Sequence, residues 1–288
     1  MKSKMLSVVT GTSECISHCP FCVSCTKPEK THISSCLNLR NFLIALKYAD
    51  ICGVDTMVFT GRGEPLLYPE HISAYLKIFA ESKSKIPFVE LQTNGILIPT
   101  PYIHDYLKKW FSLGLTHVAL SVISEKDELN KKNYGVNTNL ANTIKILHDI
   151  GLSVRLVAIM CKGDFYIDSD EKIQNFIDFA AQNNVEQITL RPVNEEFRRQ
   201  SAHDWIETHK FSDTEKISFM NYLESKGTVL MELPRIGKVY DINGQNVMFS
   251  YPLNINTRNA DTESARQIIY FPDGHIRYEW EKEGGILL

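Results

Sequence analysis

Apolar residues in this sequence fall into two kinds of segment that follow each other in turn. Short runs rich in Val, Ile, Leu and Phe predict buried strands, and longer stretches whose apolar positions repeat with a helical period predict amphipathic helices. The predicted strands cover residues 5–9, 56–59, 88–91, 117–122, 153–159 and 187–190. The predicted helices between them cover residues 39–51, 70–82, 102–113, 139–150 and 170–182.

The alternation of strand and helix predicts a parallel sheet, because a helix carries the chain back before each new strand begins. Gly53, Gly114 and Gly151 follow the last apolar residue of three helices, where a left-handed cap favours glycine. A complete eightfold barrel takes ~250 residues, whereas the regular alternation here ends near Leu190. We therefore predict an α/β fold with a partial (β/α)6 TIM barrel.

The sequence after the sixth strand has a different character. Ser212 is a suitable cap for one more helix at 212–225, and Pro272-Asp273-Gly274 predicts a hairpin turn between 268–271 and 275–278. We predict a barrel core over residues 1–195 and a C-terminal helix-plus-hairpin extension over 196–288 that caps the barrel.

Length and composition exclude several classes of protein. A chain of 288 residues, 43% of them hydrophobic, can bury a large core, which argues against intrinsic disorder and against a disulfide scaffold. The 31 basic and 34 acidic residues nearly balance, so no stable nucleic-acid partner is expected. Apolar runs are too short for a membrane span of ~20 residues or for a secretory signal. We expect a cytoplasmic, reducing location and no membrane partner.

Five of the seven cysteines crowd a short stretch after the first predicted strand. Cys15, Cys19 and Cys22 are separated by three and then two residues, and Cys25 and Cys36 follow. Thiolates on a tight loop can converge on a metal, and soft sulfur ligands favour zinc or an iron–sulfur cluster. A zinc site needs four ligands, for which His18, His32 and Cys36 are further candidates. These residue types alone leave both metals open.

The loop after the second strand reads Gly61-Arg62-Gly63-Glu64-Pro65, at the carboxyl end of a strand where α/β sheets bind their ligands. Its glycines allow a close approach of the backbone, and a carboxylate such as Glu64 can pair with an ammonium group. The alternative to a ligand-binding loop is a purely structural turn in which a proline begins the next helix.

Together, the three spaced cysteines with Phe21 before the last one, the Gly-x-Gly-Glu-Pro stretch and the later Thr93-Asn94-Gly95 turn resemble the radical S-adenosylmethionine (SAM) superfamily. The resemblance extends from about Met5 to Pro192. It implies that the three cysteines hold a 4Fe–4S cluster whose fourth iron binds the amino and carboxylate groups of SAM. The cluster then supplies an electron that splits SAM into methionine and a 5′-deoxyadenosyl radical, which removes hydrogen from a substrate.

The same resemblance assigns roles to other positions. It places the methionine amino group on Gly61, Gly63, Glu64 and Pro65, and it places Phe21, Asn94 and Ser121 beside the cofactor, Ser121 near the carboxylate or ribose. Arg155 in the fifth strand and Arg191 after the sixth are expected at the barrel mouth, where a guanidinium can bind a carboxylate or phosphate. For Ser121 and the two arginines a purely structural role is an equal alternative. No catalytic side chain is predicted.

Three classes of function remain open at this stage. The first is a radical SAM enzyme with a small-molecule or nucleotide substrate, or alternatively a peptide, served by a low-potential donor such as a flavodoxin or ferredoxin. The second is a zinc-stabilised β/α binding protein, and the third is an iron–sulfur carrier that kept the fold alone. Residues 200–288 contain no cysteine, so a single cluster is expected, with no assigned role for Cys25 and Cys36.

Overall fold

The computed structural model describes residues 2–22, 37–193, 200–233, 236–250, 264–280 and 285–288. Cys25, His32 and Cys36 lie outside these ranges, so the later part of the cysteine stretch has no structural description here. The boundary predicted at residue 195 also lies outside them, and the division into core and cap stays a prediction.

The six predicted strands are all present and are parallel to one another. They are β1 (Lys2–Val9), β2 (Thr56–Thr60), β3 (Phe88–Thr93), β4 (His117–Val122), β5 (Ser153–Met160) and β6 (Gln187–Pro192). The helices among them are α1 (Leu39–Cys52), α2 (Pro69–Ser82), α3 (Pro101–Ser112), α4 (Asp127–Tyr134), α5 (Leu140–Ile150) and α6 (Asp170–Gln182). The partial (β/α)6 barrel predicted from the alternation is therefore confirmed.

Helix α4 is an addition to the predicted elements. Its sequence, DELNKKNY, is almost entirely polar, so it has no apolar stripe that a periodicity argument can detect. The helix ends at Gly135, which has a left-handed φ of 78° and donates its N–H to the Lys131 carbonyl oxygen at 2.8 Å. Only Asn130 and Tyr134 of this helix are buried.

The C-terminal segment contains more structure than the predicted helix and hairpin. Its elements are α7 (Gln200–His209), α8 (Asp213–Lys226), β7 (Thr228–Leu233), β8 (Gly237–Ile242), β9 (Gln245–Ser250), β10 (Ser264–Tyr270) and β11 (Ile276–Arg277). Helix α8 begins with the predicted Ser212 cap, and β10 and β11 form the predicted antiparallel hairpin. Helix α7 and strands β7 to β9 were not predicted.

These C-terminal strands lengthen the barrel sheet at both of its edges. Strand β10 pairs with β1 and strand β9 pairs with β6, both in parallel, and the sheet order is β11-β10-β1-β2-β3-β4-β5-β6-β9-β8-β7. The sheet stays open, because its two terminal strands, β11 and β7, do not pair with each other in the described part of the chain. None of the helices in the described ranges is long and apolar enough to cross a membrane.

The two faces of the barrel strands have different chemistry. Alternate residues such as Leu6, Met57 and Leu91 are fully buried in the main apolar core between sheet and helices. The positions between them include Ser7, Glu90 and Arg155, which line the concave interior. The carboxyl ends of β1 to β6 meet at one end of this interior, where the cysteine loop, the Gly61–Pro65 loop and the Thr93–Gly95 turn all lie.

Candidate functional site

The cysteine loop leaves β1 and is fastened directly to the loop that follows β2. The backbone N–H of Glu64 donates to the carbonyl oxygen of Glu14 at 2.8 Å, one residue before Cys15. Gly63 allows this approach, because a Cβ at that position would lie 1.9 Å from the Glu14 oxygen. Tyr68 Oη adds a second link by donating to the Glu14 carboxylate at 2.6 Å. The two sequence motifs therefore form one connected structure.

The side chain of Glu64 is turned into the protein. It is 3% exposed, and its carboxylate accepts hydrogen bonds from Leu66 N at 2.9 Å, Thr93 Oγ1 at 2.6 Å and Asn94 N at 2.9 Å. Burial raises the pKa of this carboxyl, although the three hydrogen bonds act in the opposite direction. Glu64 is thus a brace between two strand-end loops. Its carboxylate is buried, and the accessible part of the motif is Gly61–Gly63, each residue of which is half-buried.

Asn94 connects the third strand to the cysteine loop. Its Nδ2 donates to Ser17 Oγ at 3.2 Å and makes a long contact of 3.9 Å with Cys15 Sγ. Its Oδ1 accepts from Ile96 N at 3.1 Å, which holds the turn in shape. The modest sequence signal of a Thr-Asn-Gly turn therefore marks a residue that lies against the predicted ligand loop.

Helix α4 contributes two residues, one in contact with the cysteine loop and one in contact with the end of β4. Asn133 Nδ2 donates to Cys19 Sγ at 3.5 Å, and Tyr134 Oη donates to the Ser121 carbonyl oxygen at 2.6 Å. Ser121 is half-buried near the end of β4, and its place beside the cofactor stays a prediction. The sequence analysis missed Asn133 and Tyr134. Their one signal was Gly135, a helix-ending glycine after a polar run.

Phe21, in the cysteine loop, packs among aromatic rings. Its ring centroid lies 6.2 Å from that of Tyr166 and 6.0 Å from that of Trp205 in α7. Trp205 stacks on His209 with a centroid distance of 4.0 Å. Ile123, Cys161, Val193 and Ile206 complete a small apolar cluster here. The C-terminal segment therefore covers one side of the cysteine loop, at a residue that the sequence analysis assigned to the cofactor.

The three thiols lie close enough to influence one another. Burial, followed by the neighbouring Cys22 and Cys15, raises the pKa of Cys19 to about 12. Burial also raises the pKa of Cys15, with smaller contributions from Glu64 and Cys22. A bound cation would relieve this repulsion and release protons.

Arg155 lies deeper than predicted. It is the third residue of β5, and its register partner on β4 is Ala119, in the amino-terminal half of the strands. Its Nη2 donates to Glu90 Oε1 at 2.5 Å, while His117 Nε2 lies 3.1 Å from the other Glu90 oxygen and Gln92 Nε2 donates at 2.9 Å. Arg155 therefore does not lie at the barrel mouth. The alternation of residues along a strand predicts which face of the sheet a side chain occupies, but it does not predict how far from the barrel mouth that side chain lies.

Glu90 is the acidic centre of this interior network. Burial alone would raise the pKa of its carboxyl, but Arg155 and His117, with the Gln92 hydrogen bond, hold it below the ordinary value. Its side chain is 1% exposed and that of Arg155 is 23% exposed. The buried Nε of Arg155 has no hydrogen-bond partner among the described residues.

Arg191, at the carboxyl end of β6, lies in the same concave interior. Burial, followed by the positive charges of Arg155 and Arg266, lowers its pKa to about 10. The side chain is nevertheless accessible to solvent, so it lies in an open concavity crowded by protein and remains charged at neutral pH. Within the described ranges Arg191 makes no hydrogen bond or ion pair, whereas Glu90 is already engaged by Arg155.

The sequence profile of the radical SAM superfamily matches residues 9–180, more than half of the chain. The chain belongs to the radical SAM superfamily. Comparison with curated protein sequences gave no match.

Solved radical SAM structures show the same fold. SuiB of Streptococcus suis bound to S-adenosylmethionine superposes with a TM-score of 0.66 at 18% identity, over 98% of this chain and 61% of SuiB. Native anSMEcpe with bound SAM superposes with a TM-score of 0.64 at 12% identity, over 98% of this chain and 76% of anSMEcpe. Coproporphyrinogen III oxidase (HemN) of Escherichia coli superposes with a TM-score of 0.52 at 13% identity, over 78% of this chain and 53% of HemN. This radical SAM chain thus spans about three fifths of the length of SuiB.

The described residues fit the two cofactors of the radical SAM superfamily. Three free thiols on one loop suit a 4Fe–4S cluster, in which each thiolate binds a separate iron and one iron keeps an open position. In the described ranges no three His, Cys, Asp or Glu side chains converge as the ligands of a single ion.

Gly63→Ala tests the contact between the two motifs. The new Cβ would collide with the Glu14 oxygen, so we expect a loss of about 1–3 kcal/mol in the free energy of unfolding and fewer iron atoms bound per chain. Denaturant unfolding and iron analysis after reconstitution measure both. Gly244→Ala is the control: its positive φ of 84° imposes similar strain, but no atom lies within 4 Å of the new Cβ. Wild-type iron content in Gly63→Ala would contradict the interpretation.

Glu90→Gln tests the interior network. The variant leaves Arg155 without its counter-charge, so we expect a loss of about 3–5 kcal/mol at neutral pH by denaturant unfolding. Because the folded-state pKa of Glu90 is lowered, its stabilisation is present above the ordinary value of 4.5 and is lost as pH falls through the lower folded-state pKa. The difference from wild type should therefore shrink in acid.

The exposed pair Lys145–Asp149 supplies the control for that experiment, and Asp149→Asn should cost less than about 1 kcal/mol. A Glu90→Gln effect no larger than this, or one that grows in acid, would show that the interior pair does not stabilise the fold in this way.

Proposed function

We propose that this protein is a radical SAM enzyme that uses a single 4Fe–4S cluster to cleave SAM reductively and abstract hydrogen from a substrate. The observation that carries the proposal is the backbone bond between Glu64 and Glu14, which fastens the three-cysteine loop to the Gly61–Gly63 turn. A protein that only carried a cluster would not need that turn held against its ligand loop.

The chain's own residues divide the work of binding. Cys15, Cys19 and Cys22 would hold the cluster, which when bound supplies the electron that splits SAM into methionine and a 5′-deoxyadenosyl radical. The backbone of Gly61–Gly63 would hold the methionine amino group, with Glu64 fixing the turn from behind. Asn94 lies beside the loop at the end of β3, and Ser121 lies near the end of β4; both would orient the cofactor. Phe21 and Trp205, whose rings are in contact, would shield one side of the cluster from water.

For the substrate we favour a small molecule or nucleotide with an anionic group. Arg191 supports this choice, because it is a charged, exposed guanidinium, and the acid acting on it, Glu90, already pairs with Arg155. An anion would balance the excess positive charge there. Arg155 and Arg191 were both assigned to the cofactor from the sequence. Their places favour a structural role for Arg155 and a ligand-binding role for Arg191.

A peptide is the second candidate. The fold extends over 96% of this chain in SuiB bound to its precursor peptide SuiA, and over 78% in anSMEcpe with SAM and the Kp18Cys peptide. The open edge of the barrel would also admit an extended chain. For either substrate we propose a low-potential electron donor such as a flavodoxin or ferredoxin, in a reducing cytoplasm that suits the free thiols Cys15, Cys19 and Cys22.

Anaerobically reconstituted protein tests the proposed reaction. With dithionite as reductant it should convert SAM to 5′-deoxyadenosine, measured by chromatography, and Cys19→Ala should lower the rate at least a hundredfold because the cluster loses a ligand. Cys52→Ala is the control, since that thiol is buried in α1 and serves packing. The proposal is wrong if the wild type forms no 5′-deoxyadenosine, or if Cys19→Ala forms as much as Cys52→Ala.

A further inference from the structure

We propose that Asn133, oriented by Tyr166, is a positioning residue that raises the reduction potential of the cluster held by Cys19. Asn133 Nδ2 donates to Cys19 Sγ at 3.5 Å, which is within range for a hydrogen bond to sulfur. This inference rests on the proposed function, because it requires a cluster on the three cysteines.

The orientation of the Asn133 amide follows from its two neighbours. Its Oδ1 accepts a hydrogen bond from Tyr166 Oη at 3.2 Å, which leaves Nδ2 facing the sulfur. When Cys19 is a cluster-bound thiolate, it can only accept, so a flipped amide would place an oxygen against a negatively charged sulfur. Tyr166 therefore keeps the donor of Asn133 directed at Cys19.

Both residues are held firmly in place. Helix α4 is anchored one turn before Asn133 by the buried Asn130, whose Oδ1 accepts from Ile123 N at 3.0 Å and whose Nδ2 donates to the Ser124 carbonyl oxygen at 2.8 Å. Tyr166 is 7% exposed and packs edge-on against Phe21 and Trp205. A donor fixed by packing loses little entropy when it binds the sulfur, so more of its interaction energy is realised.

Cys19 is the thiol at which such a bond has the largest effect. Cys19 is half-buried, whereas Cys15 is exposed and its contact with Asn94 is longer, at 3.9 Å. Hydrogen bonds to a charged sulfur are stronger where water is excluded, because the effective dielectric constant is lower. We therefore expect the hydrogen bond from Asn133 to affect the reduction potential more than the contact from Asn94 does.

The direction of the effect follows from charge. One-electron reduction adds a negative charge to the cluster and its thiolates, and the electron comes from a low-potential donor, dithionite in the test below. A hydrogen bond to a thiolate stabilises the more negative reduced state more than the oxidised state, so it raises the potential. If the bond is about 1 kcal/mol stronger in the reduced state than in the oxidised state, the equilibrium constant for reduction changes roughly fivefold.

The test is a redox titration of reconstituted protein followed by electron paramagnetic resonance of the reduced cluster. Asn133→Ala should lower the equilibrium constant for reduction about fivefold, or roughly 40 mV for one electron. Asn133→Asp should lower it further, because a carboxylate repels the thiolate. Tyr166→Phe should shift it less in the same direction. Asn137→Ala removes an exposed amide three residues beyond α4 and should leave the potential unchanged.

The outcomes separate tuning from a structural role. The inference is wrong if Asn133→Ala binds a full complement of iron and keeps the wild-type reduction potential. It is also wrong if the potential of Asn133→Asp is no lower than that of Asn133→Ala. If the Asn133 variants bind no cluster, Tyr166→Phe decides: an unchanged potential overturns the inference and a lowered one supports it. A wild-type protein that binds no cluster would overturn the proposed function and this inference with it. A wild type that cleaves SAM while Asn133→Ala keeps its potential would overturn this inference alone.

Discussion

Glu64 connects three consecutive strand-end loops, and the candidate site depends on that connection. Its backbone N–H bonds to Glu14 in the first loop, and its carboxylate bonds to Leu66 in its own turn and to Thr93 and Asn94 in the third. A fully enclosed carboxylate is costly unless its oxygens are satisfied, so the three donors and the acid require each other. This interdependence fixes the distance between the cysteine loop and the turn that faces it.

A second constraint is electrostatic. Burial, with smaller contributions from the neighbouring thiols, opposes the ionisation of Cys15 and Cys19. The side-chain amides of Asn94 and Asn133 contact these two sulfur atoms from two neighbouring β/α units. The loop is therefore held by residues that are distant in sequence, and the strand ends bring those residues together. Binding of a positively charged metal would favour the thiolate forms and release their protons.

The sequence was informative where function and fold depend on local pattern. Strands β1 to β6 and their helices follow from apolar periodicity, and the two motifs follow from spacing. The polar helix α4, which lacks an apolar stripe, could not be found in this way, and with it Asn133 and Tyr134 were missed. The depth of Arg155 and the inward turn of Glu64 depend on partners from other strands, which one sequence does not reveal. The pairing of β10 with β1 links residues more than 250 positions apart and has no local signal.

The C-terminal strands and helix α7 give the open barrel two different kinds of support. Strands β9 and β10 continue the parallel pairing at β6 and β1, so the backbone groups at the edges of the six-stranded barrel are satisfied without closure of the sheet. Helix α7 contributes Trp205 to the rings around Phe21 and so reaches the cysteine loop itself. A closed barrel would satisfy its edges as well, but it would remove the lateral opening. The appended strands stabilise the sheet while its concave interior, with the accessible Arg191, stays open to a ligand.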